Sequence, residues 1–316
     1  MLHESDADPS ALDGSSVCVV GYGNQGRPWA LNLRDAGLDL RVAVRSDDTR
    51  EQAVADGFDP VALDRAGEAD VLCLLVPDDV IPSLPVAPGP TTLTVVASGY
   101  CLAFDRLRVE GDVAMVAPRM LGPEVRACYL EGTGFVTAIG VHADATGTAR
   151  ARTLALARAL GGLRRGAVEM TPVQEAVLDL AVEQLLSPAL TRVNEAFVQV
   201  MLESGIPLDA ILVELTLSGE IERNYRMLRE EGFVAQLDHH SPTSQYGQLS
   251  RRGRFDAHDV AATMRELLAD ITTGRFADEW DAERDAGHPT LEALRRRHAG
   301  PELAAFEQEL RARIRP

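Results

Sequence analysis

Residues 17–26, VCVVGYGNQG, join a short run of small apolar residues to the pattern Gly21-x-Gly23-x-x-Gly26. The apolar run predicts a buried strand, and the glycines predict a tight turn from that strand into a helix. Gly21 permits the turn, Gly23 lets the backbone approach a ligand, and Gly26 lets the helix pack on the strand. The free amides at the start of such a helix bind phosphate. The motif therefore predicts a pyrophosphate site of the kind found in dinucleotide-binding domains.

The residues after this turn supply the context that the motif requires. Residues 28–36 have the pattern of a helix and residues 40–44 that of a second strand, which closes a βαβ unit. Further short apolar runs alternate with helical stretches up to about residue 168, at 71–76, 94–97, 114–117 and 136–140. This alternation predicts a parallel sheet with helices on both faces, an α/β, Rossmann-type doubly wound domain over residues 1–168.

The sequence changes character from about residue 169. Strand-like runs end, and long stretches with helical periodicity follow at 173–186, 189–204, 208–231, 257–272 and 280–314. Gly161, Gly162 and the stretch up to Pro172 form a suitable junction. We therefore expect residues 169–316 to form an all-helical second domain.

The composition limits the classes of partner. With 316 residues and 46% hydrophobic content, the chain is long enough for two globular domains. A net charge of −17 argues against a nucleic-acid partner, because it repels phosphates. No apolar run approaches the roughly 20 residues that span a bilayer, and the acidic start lacks the features of a signal peptide. We therefore expect a cytoplasmic protein without a membrane partner.

The cysteines and the basic residues limit the chemistry. Cys18, Cys73, Cys101 and Cys128 have no metal-binding spacing, and we expect them to be reduced thiols. All 31 basic residues are arginine. The protein therefore has no lysine amine that could act as a base, a proton donor or a Schiff-base partner.

The loop after the second predicted strand bears on the choice of cofactor. It contains Arg45, Ser46, Asp47 and Asp48. Arg45, Ser46 and the nearby Arg50 suit the 2′-phosphate of NADPH. Asp47 and Asp48 would repel that phosphate and could accept hydrogen bonds from the ribose hydroxyls of NADH. Both cofactors stay open, and we expect NADH over NADPH.

Pro77 and Asp78 end a predicted strand at the edge of the sheet where ligands bind in open α/β folds. With the glycine turn and the loop, they complete the candidate cofactor-binding residues: Gly21, Tyr22, Gly23, Asn24, Gln25, Gly26, Arg45, Ser46, Asp47, Asp48, Pro77 and Asp78.

An acidic pair stands out in the helical half. Asp179 and Glu183 lie four residues apart, so a helix presents both carboxylates on one face. Such a pair is commonly a solvated helix face, but apolar residues surround these two acids. Because buried carboxylates need a compensating partner, and hard divalent cations prefer oxygen ligands, the pair is a candidate metal site.

These features together resemble the ketol-acid reductoisomerase family, the acetohydroxyacid isomeroreductases of branched-chain amino-acid synthesis. The resemblance extends over nearly the whole chain and rests on GYGNQG at 21–26, ALNLR at 30–34, LVPD at 75–78, VAP at 116–118, DLAVEQ at 179–184 and SPTSQYG at 241–247. The tail, GRFADEW at 274–280 with LRRR at 294–297, is similar to the short-chain class.

The resemblance implies a nicotinamide cofactor on the first domain and two Mg²⁺ ions in a knotted helical second domain that a partner subunit completes. The family isomerises a 2-acetohydroxy acid by alkyl migration and then reduces the 2-keto product. By the same resemblance, Asp179 bridges the ions and Glu183 ligates one of them. Glu220, a further acidic group, and Ser241, a substrate contact, come from the partner chain. The active unit implied is a homodimer or a higher homo-oligomer.

Three positions depart from the family pattern, and each concerns chemistry. Ser98 replaces a histidine before a glycine and an aromatic residue, Arg119 replaces a lysine, and Thr216 replaces a glutamate one turn before Glu220. A shifted alignment would bring Glu214 to the last of these positions. Replacement acids are His239 and His240 beside Ser241, with Tyr100 and Glu175 as weaker candidates.

Alkyl migration needs two adjacent metal ions, whereas hydride transfer to a 2-keto acid needs one polarising cation, a proton donor and a placed nicotinamide. We therefore expect an NAD(P)-dependent reductase acting on a small 2-keto or imino acid of specialised metabolism, with Arg119, Asp179, Glu183, Glu220 and Ser241 as catalytic candidates and isomerisation in doubt. The alternatives are a complete Mg²⁺-dependent reductoisomerase and an inactive cofactor-binding regulatory protein.

Overall fold

The chain forms two compact units, Met1–Asp179 and Leu180–Pro316. The structure, a computed structural model, describes residues 1–232, 235–298 and 301–313. Strands and helices alternate in the first unit, whereas the described part of the second contains helices and no strand. No helix among the described residues is long and apolar enough to cross a membrane. The domain boundary expected after residue 168 stays a prediction.

One seven-stranded sheet organises the described residues of the first unit. Its strands, in chain order β1 to β7, are Ser16–Val20, Asp39–Ala43, Val71–Leu74, Leu93–Val96, Asp112–Pro118, Thr137–Ala143 and Ala167–Glu169. They lie side by side in the order β2-β1-β3-β4-β5-β6-β7. The strands β3 and β4 are buried along their whole length, as parallel strands covered on both faces must be, and this explains their continuous apolar runs. The predicted α/β, Rossmann-type fold is confirmed.

The last two strands differ from the prediction of a parallel sheet. Strand β6 pairs antiparallel with β5, and β7 pairs parallel with β6. Thr137, the first residue of β6, lies opposite Pro118, the last residue of β5, so the chain makes no crossover between them. Gly132 and Gly134, in the segment before β6, adopt the positive φ that lets a chain turn back sharply. The short strand β7 lies in the stretch that the sequence suggested as a junction.

Helices cover this sheet, and their bounds, α1 to α6, are Gly26–Asp35, Asp48–Ala55, Tyr100–Ala103, Gly122–Leu130, Ala149–Leu160 and Pro172–Ala181. Helix α1 buries Trp29 and Leu33 completely. Asn32 on the same helix is also buried, and its side-chain amide donates to the carbonyl oxygens of Val125 in α4 and Leu160 in α5 at 3.4 and 3.2 Å. These bonds satisfy a buried polar group and hold three helices in register.

The second unit consists of helices broken at more places than the periodicity predicted. Helices α7 to α14 are Ser187–Glu203, Leu208–Leu212, Glu220–Glu231, Pro242–Arg252, Val260–Thr272, Arg275–Asp285, Pro289–His298 and Pro301–Arg313. The predicted helix over 208–231 divides because Gly219 takes a left-handed conformation. Two π-helical segments, Val182–Leu186 and Val213–Leu217, adjoin α6 and α8. Ile314, the predicted end of the last helix, lies outside the described residues.

Candidate active site

The glycine turn has the geometry that its sequence predicts. Gly21 has φ +93°, and a Cβ on it would lie 2.6 Å from the carbonyl oxygen of Leu75. A Cβ on Gly26 would lie 2.3 Å from the carbonyl oxygen of Gly21. At Gly23, by contrast, a Cβ would meet no described atom within 4 Å. Gly21 and Gly26 are therefore required by packing, while Gly23 leaves open space for a ligand to approach the backbone.

Two cavities flank this turn at the carboxyl ends of β1 and β3, where the order of the strands changes direction. One, of about 220 Å³, is lined by apolar residues that include Val44 and Leu63. The other, of about 350 Å³, extends to Ser98 at the end of β4. Gly23, Leu75, Val76 and Pro77 line both cavities. The two cavities therefore form one groove with an apolar end and a more polar end.

Most of the candidate cofactor-binding residues line this groove. Those that do are Gly21, Tyr22, Gly23, Asn24, Gln25, Arg45, Asp47, Pro77 and Asp78, whereas Gly26, Ser46 and Asp48 do not line either cavity. Gly26 acts through the packing of α1, as described above. The Tyr22 hydroxyl donates to the carboxylate of Asp56 at 2.9 Å.

Asp47 has a structural role that was not predicted from the sequence. It is the N-cap of α2, where the amide of Thr49 donates to its carboxylate at 3.1 Å. The guanidinium of Arg45, itself largely exposed, lies 3.3 Å from the same carboxylate. The hydroxyl of Thr49, then its amide, and the charge of Arg45 lower the pKa of Asp47. Asp47 is therefore a fixed anion at the apolar end of the groove. The signal that could have revealed the cap was an aspartate two residues before a threonine at a helix start.

At the end of β5, Arg119 connects two acidic residues of α6. One terminal nitrogen, Nη1, lies 2.6 Å from Oε1 of Glu175, and the other, Nη2, lies 2.7 Å from Oδ1 of Asp179. The Glu175 side chain is 2% exposed, Arg119 31% and Asp179 42%. We call Glu175, Arg119 and Asp179 the arginine bridge. Arg119 and Asp179 were predicted site residues, and the structure brings them into contact.

Glu175, a weaker candidate from the sequence, is the most buried member of the arginine bridge. Its second oxygen, Oε2, accepts from the amide of Gly99 at 2.7 Å. A Cβ on Gly99 would lie 2.1 Å from the carbonyl oxygen of Pro172, so only glycine allows this approach. Burial raises the pKa of Glu175, and the nearby charge of Asp179 adds to the rise, while the Gly99 amide and Arg119 oppose it. The contact links the end of β4 to α6.

The loop that carries Arg119 also touches the glycine turn. A Cβ on Gly122 would lie 1.7 Å from the carbonyl oxygen of Asn24, so the two backbones are in direct contact. The side-chain amide of Gln25 donates to the carbonyl oxygen of Met120 at 3.4 Å. The arginine bridge is therefore anchored on the same segment that would bind the pyrophosphate.

Asp78 lies at the polar end of the groove, close to the arginine bridge. Burial raises the pKa of the Asp78 carboxyl to about 6, and the negative charges of Glu175, Asp79 and Asp179 contribute to the rise. The thiol of Cys101 donates to the backbone carbonyl of Asp78 at 3.3 Å, and its weaker contact with the carboxylate, at 3.8 Å, opposes the shift. Asp78 is therefore a carboxyl that can hold a proton near neutral pH.

The remaining predicted site residues belong to the second unit, and all are exposed. Glu183 lies in the first π-helical segment, Glu220 begins α9, and Ser241 is the N-cap of α10. Thr216 lies in the second π-helical segment, where its hydroxyl donates to the carbonyl of Leu212 at 3.1 Å. Both π-helical segments therefore contain positions singled out from the sequence, in line with the frequent occurrence of such segments at functional sites.

The two candidate histidines have local partners. Nε2 of His239 lies 2.7 Å from a carboxylate oxygen of Glu231, and Nε2 of His240 lies 3.3 Å from the side-chain oxygen of Gln236. Across residues 1–232, 235–298 and 301–313, no three His, Cys, Asp or Glu side chains are grouped as metal ligands. Asp179, which the resemblance would have bridging the two ions, is paired with Arg119. The implied Mg²⁺ centre also takes residues from a partner subunit, and it stays a prediction.

Comparisons with known proteins agree with this architecture. The family model for the acetohydroxy acid isomeroreductase NADPH-binding domain matches residues 11–166, and the ketol-acid reductoisomerase C-terminal domain matches residues 173–315. The protein named "Putative ketol-acid reductoisomerase 3" from Saccharolobus solfataricus is 35% identical, over 96% of this chain and 95% of that protein.

Solved structures give the same picture. An NADH-preferring ketol-acid reductoisomerase from an uncultured archean is 28% identical and has a TM-score of 0.92, covering 100% of this chain and 99% of that one. A semialdehyde dehydrogenase NAD-binding protein from Cupriavidus necator, 16% identical with a TM-score of 0.57 over 80% of this chain and 99% of its own, shares the fold alone. The chain therefore belongs to the ketol-acid reductoisomerase family of NAD(P)-dependent oxidoreductases.

Proposed function

We propose that this protein reduces a small 2-keto or imino acid with a nicotinamide cofactor and that it has lost alkyl migration. The arginine bridge is the observation that carries this proposal. Arg119 presents a positive charge next to the polar end of the groove, and its exposed fraction lets it meet a ligand. A guanidinium has five N–H donors, of which the two contacts described here use two. Others are left for the carboxylate or carbonyl of a substrate.

The groove residues fit a dinucleotide. The apolar end suits an adenine ring, the amides after Gly23 suit the pyrophosphate, and the end near Ser98 suits the nicotinamide, which supplies the hydride when bound. Arg119 stabilises the negative charge that develops on the substrate oxygen. Asp78, which can be protonated near neutral pH, donates the proton that this oxygen takes up.

We propose that NADH is the preferred cofactor. Asp47 lines the apolar end of the groove, and the cap of α2 fixes the position of its carboxylate. A 2′-phosphate at that end would be repelled, whereas ribose hydroxyls would find an acceptor. Arg45, which could have attracted a phosphate, is paired with Asp47. The NADH-preferring relative with the same fold supports this assignment.

The proposed loss of alkyl migration follows from two substitutions. Arg119 pairs with Asp179, the carboxylate that the resemblance would have bridging two metal ions. Thr216 offers a hydroxyl, already donated to Leu212, at a position where the family has a carboxylate.

We propose a homodimer or higher homo-oligomer as the active form. Helix α7 has 17 residues, and none of them is buried. Its exposed apolar side chains include Leu190, Val193, Phe197 and Val200. Leu190 also lines a cavity of about 1110 Å³ between α7 and the segments that follow it. Such a surface is unfavourable in water, and a second copy of the chain would cover it.

Oxidation of NADH and NADPH, followed with 2-acetolactate, 3-hydroxy-2-ketoisovalerate and simple 2-keto and imino acids, tests the proposal. We expect turnover of the pre-isomerised keto acids or simple keto or imino acids, with NADH preferred, and no turnover of 2-acetolactate. Turnover of 2-acetolactate would mean a complete reductoisomerase. Cofactor binding without turnover of any substrate would identify a regulatory cofactor-binding protein instead.

A further inference from the structure

The arginine bridge depends on both terminal nitrogens of the Arg119 guanidinium. Its two terminal nitrogens contact different carboxylates, Glu175 at 2.6 Å and Asp179 at 2.7 Å. These acids are one turn apart on α6 and would repel each other without a cation between them. A lysine ammonium is a compact point charge and would have to contact both carboxylates from a single nitrogen atom. The protein therefore supplies its own cation to the carboxylate pair.

Glu175 determines where this cation lies. It is almost fully buried, and the Gly99 amide fixes one of its oxygens while the other receives Arg119. Gly99 lies so close to the backbone of Pro172 that no Cβ fits between them, which lets its amide reach Glu175. Arg119 thus has a rigid anchor on its Glu175 side, whereas Asp179, 42% exposed, lies on the open side of the arginine bridge.

We propose that the Arg119 guanidinium, positioned by Glu175, takes the place of a divalent metal ion at Asp179, so that the reduction proceeds without added metal. The claim that reduction needs no metal rests on the proposed reductase function. The claim that Arg119 displaces a metal ion from Asp179 does not. Arg119 is the catalytic residue in this scheme because it touches the substrate. Glu175 is a positioning residue that acts through Arg119.

Metal binding, measured by titrating the full-length protein with Mn²⁺ and following the free ion by electron paramagnetic resonance, tests the inference directly. We expect the wild-type protein to bind Mn²⁺ weakly. Arg119→Gln frees Asp179 and Glu175 as a carboxylate pair, so Mn²⁺ affinity should rise about tenfold or more. Arg119→Lys keeps the positive charge and perturbs the fold less, so it should raise Mn²⁺ affinity by a smaller factor. The matched control Arg150→Gln breaks the exposed pair with Glu169 in the same unit and should leave Mn²⁺ affinity unchanged.

Kinetics test the positioning role. NADH-dependent reduction of a 2-keto acid by the wild-type protein should be the same within about twofold with Mg²⁺ and with a chelator, because Arg119 supplies the charge. Glu175→Gln still accepts from the Gly99 amide but loses the ion pair. It should raise the KM for the keto acid about tenfold, with the Kd for NADH unchanged. A purely structural role would instead change NADH binding and thermal stability together.

Tight Mn²⁺ binding by the wild-type protein that Arg119→Gln does not strengthen would overturn the inference. Reduction that a chelator abolishes and Mg²⁺ restores would overturn it as well. If no keto or imino acid is turned over, the proposed reductase function fails, while the Mn²⁺ titrations of the wild-type, Arg119→Gln and Arg119→Lys proteins still decide whether the arginine bridge displaces a metal ion.

Discussion

The two units of this protein differ in how much of their structure one chain can stabilise. The first unit buries β3 and β4 along their whole length and satisfies buried polar groups such as Asn32 with its own carbonyls. The described part of the second unit contains amphipathic helices that bury few side chains, and no residue of α7 is buried. Since burial of apolar surface is the main favourable term in folding, the first unit has its own core, whereas the proposed oligomer would add apolar contacts to the second. The cofactor groove lies in the first unit, whereas Glu183, Glu220 and Ser241 lie in the second.

The largest effect should come from disrupting the exposed face of α7. We expect Phe197→Arg to dissociate the proposed oligomer and to abolish the proposed reductase activity, because a charge would replace an apolar side chain at the proposed subunit interface. Light scattering after gel filtration measures the mass. Val54→Arg changes a comparably exposed apolar residue of the first unit and should alter neither mass nor activity. A fully active Phe197→Arg monomer would show that the second unit, like the first, does not need contacts with another copy of the chain.

The next largest effect should come from the glycine turn. Gly21→Ala combines a positive φ with a contact of 2.6 Å to Leu75, so NADH affinity should fall about 100-fold. Gly37→Ala is the matched control, because Gly37 has φ +87° but open space around its Cβ position. It should cost about 1 kcal/mol of stability without changing NADH affinity. Calorimetric titration with NADH measures the affinity of both variants. An equal loss of NADH affinity in Gly21→Ala and Gly37→Ala would mean that backbone strain, and not the contact with Leu75, constrains the turn.

A smaller effect should follow from changing Asp47. Asp47→Ser removes the fixed anion from the apolar end of the groove, so the ratio of kcat/KM for NADPH to that for NADH should rise about tenfold. Asp48→Ser alters a neighbouring acid that does not line the groove and should leave the ratio nearly constant. If Asp48→Ser has the larger effect, the loop binds the ribose in a different way.

The smallest effect should be the pH dependence of stability caused by Asp78. Its pKa in the folded protein is raised to about 6, so the folded state holds this proton more tightly than the unfolded state. The stabilisation is therefore present below the ordinary pKa of aspartate and is lost as pH rises through about 6. Asp78→Asn should raise Tm by a few degrees at pH 8 and have little effect near pH 4. Thermal unfolding at both pH values tests this, with Asp79→Asn as the control. The opposite pH dependence would contradict the assignment.

What could be predicted from the sequence depended on whether the signal was local or depended on the fold. Strand β1, the glycine turn and α1 were predictable because their signals are local: an apolar run, three glycines and a helical pattern. The direction of β6 was not, because it depends on how the chain returns after α4. The pairing of Arg119 with Glu175, 56 residues apart, also depends on the fold. Local patterns thus indicated the cofactor end of the site and left the arginine bridge unrecognised.

In the second unit, periodicity indicated helices but not where they break. The π-helical segments that contain Glu183 and Thr216 have no distinctive composition, because an extra residue in a turn is accommodated by packing rather than by propensity. Glu175 and Asp179, four residues apart, both lie in α6 and both contact Arg119. The shared face expected for Asp179 and Glu183 stays a prediction.

The contact between Gly122 and Asn24 has a consequence for how this enzyme could evolve or be engineered. Because the loop that carries Arg119 abuts the backbone of the glycine turn, the two segments cannot be redesigned separately. Asp47, in contrast, lies on its own short loop at the far end of the groove. Exchange of the reducing agent and exchange of the molecule being reduced are therefore separable tasks in this scaffold, and the first can be attempted with a single substitution.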